Sequence, residues 1–239
     1  MVIGLIGAMD EEIALLLEEM EAVSEEKYAG THYHRGRLED VSVVLCKSGV
    51  GKVNAAVSTQ VLIDRYQVDA VIFTGVAGAL HPDLDIGDMV ISTACQHHDV
   101  DAGSLGFAPG EIPFQDTSVF QADPRLVALA EKASEKASGG KTMRGKILSG
   151  DQFISDTERV RSLHERFDGV CVEMEGAAVA HVCHLNRVPF VIIRSISDRA
   201  DHSANVNFTR FTKMASRRSA GIVRRMLAEL RQRGLGSKT

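Results

Sequence analysis

The sequence has no paired cysteines, no long apolar run and no excess of basic charge, and each absence excludes a class of protein. Its four cysteines are scattered without a CxxC pair, which indicates reduced, buried thiols in a cytoplasmic protein. No apolar run approaches the roughly 18 residues that a membrane-spanning helix needs. The formal net charge of −5 argues against nucleic acid or an anionic membrane as the main partner.

Two motifs near the N-terminus resemble familiar signals but are incomplete. The start, MVIGLIGAMDEE, has no basic residue before its apolar run and turns acidic at Asp10, which predicts a first strand and not a signal peptide. The segment SGVGKVNAA (48–56) contains the GVGK of a P-loop, but Cys46 stands where that motif needs glycine and Val53 where it needs Ser or Thr. This disfavours an ATP site. What remains of the motif is a strand that turns through glycines into a helix. This segment is either a tight turn or a wall that directs backbone N–H groups at a ligand.

Strand-like and helix-like patterns alternate along the chain. Apolar and β-branched runs predict strands at 2–8, 41–47, 70–75, 88–94, 145–150, 169–174 and 190–196. Helical patterns lie between them at 10–22, 52–67, 123–137, 155–166, 176–186 and 208–232. We expect one α/β domain over residues 1–232, a mixed central β-sheet flanked by helices, and then a short basic tail at 233–239.

Several predicted strands end in small or polar residues. These strand ends are IGAMDEE, CKSGVGK, TGVAGAL, SGDQF, VEMEG and RSISD. Ligands of open α/β sheets bind beyond the carboxyl ends of the strands, so these ends are expected to converge on one pocket.

Acidic residues at three of these ends have both a structural and a chemical interpretation. Glu175 begins a helix beside small residues, where it either favours the helix dipole or accepts the two hydroxyl hydrogen bonds of a ribose diol. Asp198 and Arg194 follow a fully apolar strand. Asp198 is either a helix N-cap, a member of a structural ion pair, or a catalytic carboxyl group. Desolvation raises the pKa of a carboxyl group and lets it protonate a leaving group near neutral pH. The acidic run at 10–12 opens a helix, where acids are usual, yet one of them could be a general base for water.

Two histidine groupings are candidate metal sites. HHDVD (97–101) is rich in ligand types, and His181 lies three residues before His184. Neither fits HExxH or the Cys/His spacing of zinc sites. We therefore expect neither a metal nor a cofactor.

Seven motifs recur together, in an order and at a spacing that resemble one known family. They are IGAMDEE, SGVGKVNAA, TGVAGAL, HHDVD, SGDQFIS, VEMEGAAVAHVC and RSISDRAD. Over about residues 1–232 the chain resembles the 5′-methylthioadenosine/S-adenosylhomocysteine nucleosidases, within the purine nucleoside phosphorylase-like family. The resemblance implies that a small adenosine thioether is hydrolysed at its N-glycosidic bond, through an oxocarbenium-like transition state.

The resemblance also implies roles for the matching residues. Asp198 matches the acid that protonates adenine N7, and Glu12 matches the carboxylate that activates the attacking water, with Arg194 nearby. Glu175 matches the residue that holds the ribose hydroxyls. The other implied contacts are Met174 on the sugar, Phe153 and Ile154 at the purine, Met9, Val50 and Phe208 around the alkylthio group, Glu173, Val76 and Gly78 in the same pocket, and Leu105 and Pro113 from a second subunit. The last two imply a homodimer.

The reaction and the substrate each have an alternative. Phosphorylases of this superfamily bring an arginine to the phosphate at the turn where this chain has Phe73 and Thr74, so hydrolysis is favoured over purine nucleoside phosphorolysis. Val76 replaces a serine that orients the acid in many of these nucleosidases, so Asp198 needs another partner, such as Ser197 or a backbone N–H. In having Val76 the chain also resembles family members that accept 6-amino-6-deoxyfutalosine. A futalosine-type hydrolase is therefore the alternative.

Overall fold

The computed structural model describes residues 1–135, 140–199 and 204–232, without the side chains of 204–210 and Lys213. The predicted contact of the Phe208 side chain and the predicted tail at 233–239 lie outside the described residues. The strands within these ranges are β1 Val2–Gly7, β2 Glu21–Tyr28, β3 Thr31–Leu38, β4 Val41–Lys47, β5 Ala70–Ala79, β6 Met89–His97, β7 Val119–Gln121, β8 Thr142–Ser149, β9 Gly169–Glu173 and β10 Phe190–Asp198. The helices are α1 Asp10–Glu18, α2 Lys52–Asp64, α3 Pro124–Glu135, α4 Thr157–Phe167, α5 Gly176–Asn186 and α6 Ala204–Gln232.

The strands form one mixed sheet, part of which closes on itself. Strand β5 pairs in parallel with β1 and β10 and antiparallel with β9. Because β9 continues through β8 and β6 back to β10, these five strands form a ring. From β5 the sheet also extends outward through β1, β4, β3 and β2, and β7 pairs with β6. The helices α2 and α5 pack on each other, and α6 packs along β10 and β5. This confirms the predicted single α/β domain, whose boundary at 232 stays a prediction.

The buried core follows the strands that the sequence shows as continuously apolar. Strands β5 and β10 are buried along their whole length. The last helix contributes a fully buried stripe of Ile222, Val223, Met226 and Leu227 against them. Within the described ranges, no helix has the length and apolar character to cross a membrane.

The predicted helix at 10–22 is wrong in its last four residues, 19–22. Helix α1 ends at Glu18, and β2 begins at Glu21 as one arm of a hairpin with β3. Strands β2, β3 and β7 have no counterpart among the predicted strands. Every residue of β2 is exposed, so this edge strand has no buried face to give it an apolar alternation.

Candidate active site

A pocket of about 300 Å³ lies beyond the strand ends, within the volume range of small-molecule sites. It is lined by Ala8, Met9, Glu12, Val50, Val76, Ala77, Gly78, Gln152, Phe153, Ile154, Val172, Glu173, Met174, Glu175, Ser197 and Asp198. These residues come from the carboxyl-terminal parts of β1, β4, β5, β8, β9 and β10, or from the turns that follow them. The structure therefore brings all the predicted strand ends to one place.

Three of the predicted site residues do not line this pocket. Arg194 is only 1% exposed and lies behind the wall, next to Glu173. Leu105 is exposed and Pro113 is half-buried, and both belong to the segment between β6 and β7. The wall also includes residues that the sequence analysis did not assign to it, namely Ala8, Ala77, Gln152 and Val172, together with Ser197. Each is adjacent in sequence to a predicted residue, and the alanines and Val172 carry no chemical signal of their own.

Glu12 is held at the first turn of α1 by backbone donors from two strand ends. Its Oε2 accepts hydrogen bonds from the N–H groups of Ala8, at 2.6 Å, and Met9, at 3.1 Å. Its Oε1 accepts one from the N–H of Val76 at 3.0 Å. Burial raises the pKa of Glu12, against the opposing effects of Arg194 and these N–H donors. One acceptor position on Oε1 stays available, so the carboxylate can take a proton from a group in the pocket.

Arg194 and Glu173 form an ion pair under the pocket floor. Arg194 Nη2 lies 2.5 Å from Glu173 Oε2, and Nε donates to the same oxygen at 3.2 Å. Glu173 also accepts from the hydroxyl of Ser149 and from the N–H groups of Glu175 and Gly176. Additional hydrogen bonds offset the desolvation of a buried pair, and Glu173 has three such donors. Both carboxylate oxygens of Glu173 are thus engaged by protein groups that fix the start of α5.

Glu175 is the residue that immediately precedes α5, and it faces the glycine turn ahead of α2. Its Oε1 accepts a 2.8 Å hydrogen bond from the N–H of Gly51. Burial, reinforced by the nearby charge of Glu173, raises the pKa of Glu175 to about 8. The other carboxylate oxygen has no protein donor among the described residues, which leaves it able to accept hydroxyl hydrogen bonds from a ligand.

Asp198 is the last residue of β10 and is 2% exposed. Helix α6 begins only at Ala204, so Asp198 is not the cap of that helix. The hydroxyl of Ser197 donates a 2.8 Å hydrogen bond to Asp198 Oδ2. Glu12 and Asp198 thus enter the same pocket from α1 and from β10.

The rest of the wall is apolar and partly open to solvent. Val50 and Phe153 are 49% and 47% exposed, and Met9 and Met174 are half-buried. Ile154 closes the pocket beneath Phe153 and is buried. An aromatic ring and flexible thioethers at the rim provide surfaces for a flat base and an apolar substituent.

The histidine groupings are placed apart from this pocket. His97 and His98 are buried at the end of β6, and the ring of His181 stacks on Phe120 at 4.4 Å. In the described part of the chain, no three His, Cys, Asp or Glu side chains are grouped so that they could hold a metal ion.

Fold and site together define a class of nucleoside-processing enzymes. The sequence model of the phosphorylase superfamily matches residues 2–228. A 5′-methylthioadenosine/S-adenosylhomocysteine nucleosidase of Bacillus thuringiensis (strain Al Hakam) is 44% identical over 230 residues, which cover 96% of this chain and 99% of the relative. The chain belongs to the phosphorylase superfamily and, within it, to the 5′-methylthioadenosine/S-adenosylhomocysteine nucleosidases.

Solved structures agree with this assignment. The nucleosidase of Neisseria meningitidis in complex with methylthio-immucillin-A is 40% identical, with a TM-score of 0.92 over 96% of this chain and 99% of the other. The futalosine hydrolase of Helicobacter pylori strain 26695 is 35% identical, with a TM-score of 0.91 over 96% of this chain and 98% of the other.

Proposed function

We propose that this protein hydrolyses the N-glycosidic bond of 5′-methylthioadenosine and S-adenosylhomocysteine, releasing adenine and the 5-thioribose product. One observation carries the proposal: Glu12, Glu175 and Asp198 share a pocket whose remaining wall is largely apolar. Carboxyl groups on either side of a scissile bond divide acid and base work in inverting glycoside hydrolysis. The names of the relatives, which are nucleosidases for these two thioethers, support the choice of substrate.

In this proposal Asp198 is the general acid. Its carboxyl group donates a proton to adenine N7 as the bond between N9 and the anomeric carbon breaks, so the base leaves neutral. The hydroxyl of Ser197 donates to Asp198 Oδ2, which keeps the carboxyl group in one orientation toward the base. General acid catalysis of this kind contributes roughly 10²- to 10⁴-fold to the rate.

Glu12 is the general base. A water molecule on the face of the sugar opposite adenine donates to Oε1 of Glu12, attacks the anomeric carbon and loses its proton to the carboxylate. The N–H groups of Ala8, Met9 and Val76 hold that carboxylate in place before the substrate binds. A pKa raised by burial makes Glu12 a better proton acceptor than an exposed glutamate.

Glu175 holds the sugar. One of its oxygens is already fixed by the N–H of Gly51, and the remaining acceptor positions suit the adjacent 2′- and 3′-hydroxyls of a ribose. Met174 packs against the sugar ring, while Phe153 stacks on the purine and the backbone of Ile154 reads its edge. Met9 and Val50 surround the alkylthio group.

Water is the nucleophile and phosphate is not. No lysine, arginine or histidine occurs among the described residues that line the pocket. A phosphate there would face the carboxylate of Glu12, and the guanidinium of Arg194 is already neutralised by Glu173. Like charges at such short range oppose phosphate binding.

The proposal also covers the oligomeric state of the protein and its location in the cell. We place the protein in the cytoplasm as a homodimer, in which the partner subunit's Leu105 and Pro113 close the alkylthio end of the pocket. Leu105 and Phe114 are 69% and 90% exposed in the single chain, which is unusual for large apolar side chains. Four buried free cysteines suit a reducing compartment.

A futalosine-type hydrolase is the second candidate. Val76, in place of a hydroxyl-bearing residue, lines the pocket, and the H. pylori futalosine hydrolase has almost the same fold. The two candidates share the reaction and the roles of Glu12, Glu175 and Asp198. They differ in the group attached at the sugar 5′ position.

The test is release of free adenine from methylthioadenosine by the purified protein, in phosphate-free buffer and again with phosphate. Equal release in both buffers is expected. Release only with phosphate would contradict hydrolysis, and release from aminodeoxyfutalosine alone would favour the second candidate. An Asp198→Asn preparation, assayed in parallel, excludes a contaminating nucleosidase because its rate should fall at least about 10²-fold.

A further inference from the structure

Three loops meet at the edge of the pocket through one network of charged and polar groups. Lys52 Nζ lies 2.7 Å from Asp99 Oδ1, in the HHDVD segment that has no role in the reaction proposed above. The N–H of Asp151 donates to Asp99 Oδ2 at 3.0 Å, and the N–H of Lys52 donates to Asp151 Oδ1 at 2.8 Å. We call Lys52, Asp99 and Asp151 the three-loop clamp.

The clamp reaches the pocket through Gly51. This residue has φ +97°, in the region that favours glycine, and an added Cβ would lie 3.1 Å from Asp151 Oδ1. Its N–H points away from the clamp and donates to Glu175 Oε1 at 2.8 Å. The next peptide, between Gly51 and Lys52, donates its N–H to Asp151, so the chain is held on both sides of the Gly51 Cα.

The clamp is better placed to resist movement than an ordinary surface pair. The side chains of Lys52 and Asp99 are 23% and 13% exposed. Burial opposes the charge of Asp99, yet the Lys52 ammonium and the Asp151 N–H leave the pKa of Asp99 below its ordinary value. By contrast, Lys47, just before the same turn, pairs with Asp10 of α1, and these side chains are 44% and 79% exposed. Exposed pairs of that kind contribute little.

We infer that Lys52, Asp99 and Asp151 are positioning residues that hold the Gly51 N–H on Glu175 and thereby set the ribose subsite. The inference rests on the proposed function, because it takes Glu175 as the residue that binds the ribose hydroxyls. A displaced Gly51 leaves one oxygen of Glu175 without its donor, and the carboxylate is then free to rotate away from the diol. Adenine alone makes no contact with this subsite, so its binding does not depend on the clamp.

The test compares two ligands across matched variants. The variants are Lys52→Met and Asp99→Asn, with Lys47→Met as the control and Lys52→Arg as the conservative replacement. The ligands are adenine and 5′-methylthiotubercidin, a 7-deaza nucleoside that lacks the nitrogen Asp198 would protonate and so stays intact. We expect Lys52→Met and Asp99→Asn to weaken nucleoside binding about 10-fold, the loss of one charge-assisted hydrogen bond, and to change adenine binding less than about 2-fold. Lys47→Met should match the wild type, and Lys52→Arg should recover most of the loss.

A second measurement, independent of any ligand, follows amide hydrogen exchange in the segment 48–55. Faster exchange at Gly51 in Lys52→Met and Asp99→Asn, with none in Lys47→Met, supports the positioning role. Unchanged exchange overturns it. Faster exchange with an unchanged ratio of nucleoside to adenine affinity also overturns it, because the clamp would then be structural only. If the wild type binds neither ligand, the proposed function fails, and the exchange data alone then report on the clamp. Asp99→Asn keeps an acceptor for Asp151, so it tests the inference even where Lys52→Met does not fold.

Discussion

The hydroxyl of Ser197 donates a 2.8 Å hydrogen bond to Oδ2 of Asp198, and both side chains lie in the pocket wall. The family resemblance implies a serine at the position of Val76 that orients the acid. Val76 has no hydroxyl, and its backbone N–H binds Glu12 instead. If Asp198 is the acid, as proposed, the hydroxyl of Ser197 orients it from the same strand.

The first prediction concerns Ser197. Ser197→Ala should lower kcat roughly 10-fold or more, the equivalent of a lost hydrogen bond to a charged group, and leave KM nearly unchanged. Ser195→Ala is the control, since Ser195 is equally buried on β10 and its hydroxyl has no partner among the described residues. Steady-state kinetics on both variants check this. Equal rates for the two would contradict the orienting role.

The second prediction concerns Glu12. In Glu12→Gln the retained oxygen can still accept from Ala8 and Met9, but the amide nitrogen faces the N–H of Val76 and cannot take a proton from water. Hydrolysis should fall at least about 10²-fold while 5′-methylthiotubercidin still binds.

Glu11→Gln is the matched control for this experiment, because Glu11 is its exposed neighbour on the first turn of α1. We expect the control to keep wild-type turnover. A fully active Glu12→Gln protein would remove Glu12 from the mechanism.

The fold could be predicted from the sequence where strands are buried on both faces. Strands β5 and β10 are continuously apolar, and their predicted ends lie within a few residues of the observed ones. Strand β2 was missed because the run from Asp10 through Ala22 keeps a helical pattern and the strand itself, EAVSEEKY, is exposed throughout. Its conformation is decided by pairing with β3, and such cross-strand pairing is tertiary information that a local pattern does not contain.

The sequence predicts which acidic residues meet in the site, but not which charged groups pair behind its wall. The strand-end rule placed Glu12, Glu175 and Asp198 near one another because each follows a recognisable strand. The rule gave no sign that Arg194 would be sequestered by Glu173 behind the wall, since that depends on how the ring of strands closes. Contacts between distant loops, such as Lys52 with Asp99, are equally invisible to local patterns.

The third prediction concerns stability in acid. Burial, together with the charges of Lys52 and His181, lowers the pKa of His97 from 6.5 to about 4. Between these pH values the unfolded chain binds a proton that the folded chain does not, so the free energy of unfolding falls as the pH falls through this window. The loss from His97 alone should approach about 3 kcal/mol at pH 4.

Urea unfolding at pH 7, 5.5 and 4 checks this, with His97→Gln as the comparison because glutamine does not titrate. The variant should lose less stability on acidification than the wild type. An identical slope in both proteins would show that another group is responsible.

The fourth prediction concerns pH and the binding of the sugar. The pKa of Glu175 is raised to about 8, so below that pH the free protein carries a protonated carboxyl that offers fewer acceptor positions to a diol. Affinity for 5′-methylthiotubercidin should therefore rise as the pH rises through about 8, while affinity for adenine, which has no ribose, should not follow this titration. Calorimetric titrations between pH 6.5 and 9 measure both ligands. In Glu175→Gln the pH dependence should vanish and nucleoside binding should be weak throughout, whereas a wild-type pH profile in that variant would assign the titration to another carboxyl group in the pocket.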